Sequence, residues 1–305
     1  MSYSASSLAQ EAVFSASPNG INSGVWMSGG GPAADSSGNI YLVTGNGTFD
    51  AASTTAPNND YGDTILKLGP PAGGSFPVLS YFRTSAVDSP DTQDQDQGSG
   101  GLLLLPTVGS FNYLVQAGKR GDVALADQAS LGGFAPFENN VVEWLSDALP
   151  QGVWGSPTYW NGNVYYGPQN GPILAFSFDT VSTAMLSTAP TSQSVHSYVF
   201  PGPTSPISSS GTSNGILWAL DNSQFCNDGA GGCGPAVLYA IDPTNLATEF
   251  WDSSQNAGDA GGNAVKFTVP TVANGKVYVG TRGNDTGYGG TSVPGELDVY
   301  GLKPN

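Results

Sequence analysis

A unit that recurs five times along the 305 residues constrains this chain more than any other feature. Each copy begins with a short apolar segment, passes a turn rich in Asn and Gly, and enters an alternating strand that carries aromatic residues. A loop, a second alternating strand and a polar outer strand follow. The clearest copy reads GSPTYWNGNVYYGPQNGPILAFSFD. The others contain GPAADSSGNIYLVTGNG, GLLLLPTVGSFNYLVQAGKRGDVALAD, SPISSSGTSNGILWALDN and FTVPTVANGKVYVGTR. The turns fall near Gly38, Ser110, Gly162, Gly215 and Gly275, at intervals of 72, 52, 53 and 60 residues.

Asn-Gly between alternating apolar residues is a hairpin signal, because both residues tolerate the positive φ that a tight turn demands. In NVYYG and KVYVG the side chains alternate between faces with period two, and no helical period persists over ten residues. Repeats of this size, each with about four strand signals, read as propeller blades. One blade buries too little to stand alone, so blades must stack. The sequence therefore predicts an all-β fold, a five-bladed β-propeller of four-stranded antiparallel blades. It reads as one domain over 1–305, with blades near 30–83, 101–146, 153–188, 204–252 and 266–303. The fifth copy stops after its third strand, so residues 8–16 are expected to close the ring as its missing outer strand. The competing arrangement is a two-sheet sandwich.

Composition narrows the partners. Lys and Arg number 8 against 24 Asp and Glu, a formal charge of −16. Nucleic acid and anionic membrane surfaces are disfavoured by that balance. Only 10% of residues are charged, so the polar surface is built from Ser, Thr, Asn and Gln. No stretch is long and apolar enough for a membrane helix. Cys226 and Cys233, in FCNDGAGGCG, can close a local disulfide in an oxidising compartment. Two isolated cysteines do not make a zinc site. A secreted or periplasmic monomer is expected; MSYSASSLAQ lacks the features of a signal peptide, so an exported protein would have lost its leader here.

The segment AVLYAIDPTNLATEFWDS (236–253) resembles the blade motif of the pyrroloquinoline-quinone-repeat propellers, which place Ala, Asp and Trp at set offsets. Ala240 and Asp242 stand at those places, Trp251 falls one residue late, and Asn245-Leu246 stands where Thr-Gly is usual. ALADQASLGGF (124–134) is a weaker copy, and GVWMSGGGPAADSSGNIYLVTGNGTFD and GTSNGILWALDNS also look like bacterial members of that family. The resemblance implies blades in which the Trp docks between neighbours. The family's dehydrogenases have eight blades, bind the quinone with calcium and carry adjacent cysteines. Cys226 and Cys233 are not adjacent and five blades leave a narrower channel, so bound quinone is not expected.

Candidate chemistry is scattered. GVWMSGG and GVWGSPTYW repeat one phrase before an inner strand, which places Trp26 and Trp154 at equivalent positions near a channel mouth. Such rings stack on sugars or flat ligands, or dock between blades. Lys119 and Arg120, in QAGKRGDV, supply a cationic wall or cap a turn. Asp91, Asp94 and Asp96 sit in an acidic loop that offers oxygen ligands to calcium, without the complete calcium-loop pattern. Asp60, Asp63 and Asp94 precede inner strands and are candidate catalytic carboxylates. His196, the only histidine, is a candidate general base, though no G-x-S-x-G elbow accompanies it.

These residues point first to a module that binds a small molecule, a carbohydrate or a partner at the mouth, with calcium left open and no other cofactor expected. A secreted hydrolase or lyase acting on polysaccharide through mouth carboxylates is the second reading. A quinone-dependent oxidoreductase is the third.

Overall fold

The structure is a computed structural model that describes residues 1–85, 94–135, 140–225, 233–283 and 294–301. The short strands β1 (Ser2–Tyr3) and β2 (Gln10–Ala12) pair with each other. The first large sheet holds β3 (Ala33–Ala34), β4 (Ile40–Val43), β5 (Ile65–Leu68) and β6 (Val78–Thr84). The second holds β7 (Leu102–Leu104), β8 (Tyr113–Ala117) and β9 (Val123–Asp127). After β9 the chain places β10 (Gly133–Ala135) parallel to β6, as a fifth strand of the first sheet, and then returns as β11 (Glu143–Leu145) to complete the second. The third sheet is β12 (Thr158–Trp160), β13 (Asn163–Tyr166), β14 (Gly171–Ser177) and β15 (Ser192–Tyr198). The fourth is β16 (Ile207–Ser210), β17 (Ser213–Asp221), β18 (Val237–Ile241) and β19 (Glu249–Asp252). The fifth is β20 (Thr271–Ala273), β21 (Lys276–Gly280) and β22 (Leu297–Gly301).

Apart from β10, each sheet is an antiparallel meander in sequence order, the blade pattern of a propeller. The fold is all-β, as the repeat predicts, with two 3₁₀ turns at Gln97–Ser99 and Ala257–Asp259 among the described residues. No helix among them is long and apolar enough to cross a membrane. The chain divides into two compact units: Met1–Ala148 with Asp179–Leu186, and Leu149–Phe178 with Ser187–Asn305.

Packing follows from the strand pattern. Inner strands such as β8 are buried at every position, whereas β22 alternates between exposed and half-buried residues. In the first unit Tyr41, Val43, Ile65, Leu66 and Phe82 of one sheet pack with Leu102 and Leu114 of the next. In the second unit Tyr165, Ile173 and Tyr198 pack with Leu217 and Ile241, and Leu220 and Leu238 pack with Val277 and Val279. Trp251 joins the last of these clusters and meets Tyr300 edge to face at 5.7 Å, so it docks between consecutive sheets. Asp242 fixes the loop before it, accepting from the N–H and Oγ1 of Thr244 at 2.8 and 2.6 Å. Cys233 is disulfide-bonded; the only other cysteine, Cys226, lies outside the described residues.

The hairpin signal is accurate where Asn-Gly fills both turn positions. Asn161 and Gly162 have φ of 46° and 79°, and Asn274 and Gly275 have 51° and 71°. The fourth turn is a correction. It falls at Gly211–Thr212, because Ser210 pairs with Ser213, and Gly215 lies inside β17. There a Cβ would come within 2.7 Å of the Trp160 ring and of Pro243, so this glycine serves packing instead.

The expected ring closure is also corrected. Residues 8–16 do not join the last sheet, which keeps three strands among the described residues. Segment 4–9 folds back on itself, the N–H of Ser4 donating to the carbonyl of Ala9 at 2.9 Å, so β2 meets the nearby β1 first. Beyond it Val13 N–H donates to Gly74 C=O at 3.1 Å, and Ala12 and Phe14 join the first unit's core. A local hairpin carries a far smaller loop-closure entropy than pairing with a strand near the other terminus.

One half-buried acid gives a pH signature. Glu143 on β11 accepts from Leu186 N–H at 3.0 Å, but burial pushes its carboxyl above the usual range against that bond. A carboxyl raised in the folded state favours the protonated form there. Stability therefore falls as pH rises from the unfolded value, about 4.3, through the folded one. Glu143→Gln keeps an acceptor for Leu186 and should flatten that fall in urea titrations between pH 4 and 7. A wild-type slope retained in the variant would contradict it.

Candidate functional site

In an antiparallel four-strand meander, the loop from second to third strand and the link to the next sheet lie at the same end. In the first unit that end gathers the β4–β5 loop, the segment 94–99 and the β8–β9 turn. Segment 94–99 threads between the other two. A Cβ on Gly98 would fall under 3.0 Å from backbone atoms of Thr44 and Gly45, and one on Gly118 would do the same at the carbonyls of Asp96 and Gln97. Only glycine permits backbones this close.

Hydrogen bonds lock the crossing. The carboxylate of Asp96, fully buried, accepts from Asn46 N–H at 2.7 Å and from Lys119 Nζ, and the Asp96 carbonyl accepts from Lys119 N–H at 3.1 Å. Lys119 Nζ also meets Asp94 at 2.8 Å. Burial pulls the ammonium down, but hydrogen bonds and charge from Asp94 and Asp96 outweigh it, so Lys119 titrates above an ordinary lysine. The same bond from Lys119 holds Asp94 below the usual carboxylate range, against a smaller penalty from burial. Asp63 accepts from Gln97 N–H at 3.0 Å. Arg120 Nε donates to Asp122 at 2.8 Å, and Asp122 also accepts from Asp147 N–H at 2.9 Å.

Beside this crossing lies a small cleft lined by Thr84, Gln95, Gln97, Gln116, Gly118, Lys119, Arg120, Asp122 and Trp144. Its volume of about 20 Å³ is room for one group the size of a water or a hydroxyl, far below the roughly 300–1,000 Å³ that encloses a drug-sized ligand. Three of its walls are amides. Gln116 Nε2 donates to the carbonyls of Gln97 and Ala117 at 2.6 and 2.7 Å, which fixes its Oε1 as the acceptor of Gln97 Nε2 at 3.3 Å. The orientation of Gln97 follows: its Oε1 is a buried acceptor with no donor in the structure, on a residue 6% exposed. Native proteins rarely leave such an atom unpaired.

The expected site residues separate in the structure. Lys119 and Arg120 reach the cleft; Trp26 does not. Its ring lies against Gly24 and Gly45 and stays 52% exposed, and a Cβ on Gly45 would strike both that ring and Asp96 Oδ1. Trp154 belongs to the second unit, where it meets Phe200 edge to face at 5.4 Å. Asp60 is buried and accepts from Asn19 N–H at 3.0 Å, tying down the N-terminal segment. Asp63, with φ of 48°, is buried beneath Gln97. Asp91 lies outside the described residues. Asp94 and Asp96 grip Lys119, and no group of three or more His, Cys, Asp or Glu is placed to hold a metal among the described residues.

His196, on β15, bridges to the fourth sheet. Its Nε2 is 2.9 Å from Asp221 Oδ2 on β17, and its ring stacks on Tyr239 of β18 at 4.5 Å. Ser194 Oγ donates to the backbone carbonyl of His196 at 2.7 Å, not to its ring. Sequence reasoning missed Asp221 and the three glutamines. Asp221 stands 25 residues from His196, and glutamine carries no motif.

No protein family matches the sequence, and no curated protein does. Solved structures match the chain at low identity and low TM-score. Quinohemoprotein alcohol dehydrogenase from Comamonas testosteroni is 13% identical over 90% of this chain and 48% of its own, with a TM-score of 0.47. The β-propeller domain of Cps50 (Swd1) from Myceliophteria thermophila is 12% identical over 93% and 74%, at 0.40. BamB from Moraxella catarrhalis is 12% identical over 82% and 68%, at 0.33. The chain spans about half the length of the dehydrogenase it matches.

Proposed function

We propose that this chain is a ligand-binding propeller module whose first unit engages one hydroxyl of a small, neutral molecule, such as a sugar, at the Gln97 cleft. The observation that carries this reading is the donorless Oε1 of Gln97. A ligand hydroxyl supplies the donor that atom lacks. Gln95 lines the same cleft, and Trp144 offers an aromatic wall. The two cations at the rim are matched by carboxylates, so an anionic ligand gains little there.

That last point bears on the quinone. The blade motif at Ala240, Asp242 and Trp251 supports a chain of the pyrroloquinoline-quinone-repeat type. The quinone of that family, however, is a flat ligand held with calcium. Lys119 and Arg120 are already neutralised, and the described residues assemble no carboxylate cage for a cation. The residues of the Gln97 cleft favour a neutral ligand over that cofactor. A secreted or periplasmic setting is supported by the disulfide at Cys233.

Calorimetry with a panel of neutral mono- and disaccharides tests the reading. Gln97→Met removes the acceptor at nearly constant volume. It should weaken the best ligand about tenfold or more, the loss expected when a ligand hydroxyl finds no partner. Stability should fall by about 1–3 kcal/mol, because the variant also removes the Gln97 Nε2 donor and leaves the buried Gln116 Oε1 without its partner. Full affinity in the variant would reject the reading.

A further inference from the structure

The second unit holds an aromatic corner that the cleft does not account for. Trp154 precedes β12, Phe200 follows β15, Phe225 lies in the β17–β18 loop, and Lys266 and Phe267 lie between β19 and β20. By the meander rule these loops share one end of their sheets. Phe200 sits at the centre: Trp154 is 5.4 Å away at 84°, Phe225 6.2 Å at 67° and Phe267 6.0 Å at 82°. Lys266 Nζ lies 5.4 Å from the Phe200 ring and 4.8 Å from the Phe225 ring. Phe267 holds φ of 67°, a conformation rare for a bulky residue, and is 43% exposed.

Charge decides what fits. Lys119 and Arg120 each grip a carboxylate, yet Lys266 makes no salt bridge among the described residues. In a chain of 24 acidic and 8 basic residues, a lysine seated on aromatic rings with no carboxylate partner among the described residues is a local positive spot with apolar walls. Ring quadrupoles attract its ammonium but do not neutralise it. A planar ring can lie against the exposed Phe267 and the Trp154–Phe200 pair while its acid group meets Nζ. Edge-to-face and offset packing between aromatic rings is favourable in its own right.

We propose that this corner binds a planar aromatic carboxylate. The site is separate from the Gln97 cleft, so each can fail alone. Titrating the full chain with 2-naphthoate and with its uncharged isostere 2-naphthamide, by calorimetry, tests it. Naphthoate should bind, and naphthamide should bind about tenfold more weakly or worse, as expected for loss of a charged hydrogen bond. Lys266→Gln should bring naphthoate down to the amide's affinity, and Phe267→Ala should weaken both ligands. Gln97→Met should change neither. Both second-unit substitutions are on the surface, and circular dichroism checks that they fold. Equal affinity for acid and amide, an unchanged Lys266→Gln variant, or no binding of naphthoate at millimolar concentration would each overturn the proposal.

Discussion

Asp96→Ala is expected to be among the most destabilising single substitutions in this chain, at about 3–5 kcal/mol, the range for removing one partner of a buried ion pair. The change strands Lys119 Nζ with only Asp94 and leaves the Asn46 N–H without its acceptor. Asp94→Ala is the control. Its side chain is 74% exposed, so it should cost less than about 1 kcal/mol, as exposed ion pairs do. Urea unfolding of both variants reads the difference. Equal losses would show that burial of Asp96 does not govern the crossing, and the account of the cleft's rim would need revision.

The second large effect comes from a single methyl group. Gly98→Ala should cost about 3 kcal/mol, the upper end of ordinary overpacking. The added carbon would meet backbone atoms of Thr44 and Gly45, which cannot swing aside as a flexible side chain does. Gly31→Ala is the comparison, since nothing lies within 4 Å of its added carbon and its φ is ordinary. There the change should be neutral or mildly stabilising, because alanine narrows the unfolded ensemble. Thermal unfolding decides it. A Gly98→Ala protein as stable as Gly31→Ala would mean that segment 94–99 does not thread between the two neighbouring loops.

Much of the architecture was legible because hairpin chemistry is local. Asn161-Gly162 and Asn274-Gly275 specify their turns with no help from the rest of the chain. Gly215 was misread for a related reason: Asn214 also takes a positive φ, 54°, but within β17 and one step past the turn. Residues 8–16 looked like an outer strand from their composition. Composition does not show that Ser2–Tyr3 would pair with them first.

The site was less legible because its decisive atoms depend on tertiary contacts. Lys119 and Arg120 stand out as charges in an apolar stretch, and the structure does bring both to the cleft. Gln97 is one polar residue among many, and becomes distinctive only when Gln116 fixes its amide and leaves its oxygen unpaired. The acidic loop looked like a cation site because carboxylates close in sequence can share an ion. Asp94 and Asp96 instead share Lys119, 23 residues beyond Asp96.

The most direct measurement is a high-resolution crystal structure of the chain with its best neutral saccharide. A ligand hydroxyl should lie about 2.6–3.0 Å from Gln97 Oε1, with the ring against Trp144 and Lys119 still held by Asp96. A ligand seated elsewhere, or a Gln97 Oε1 paired only with protein in the complex, would contradict the account.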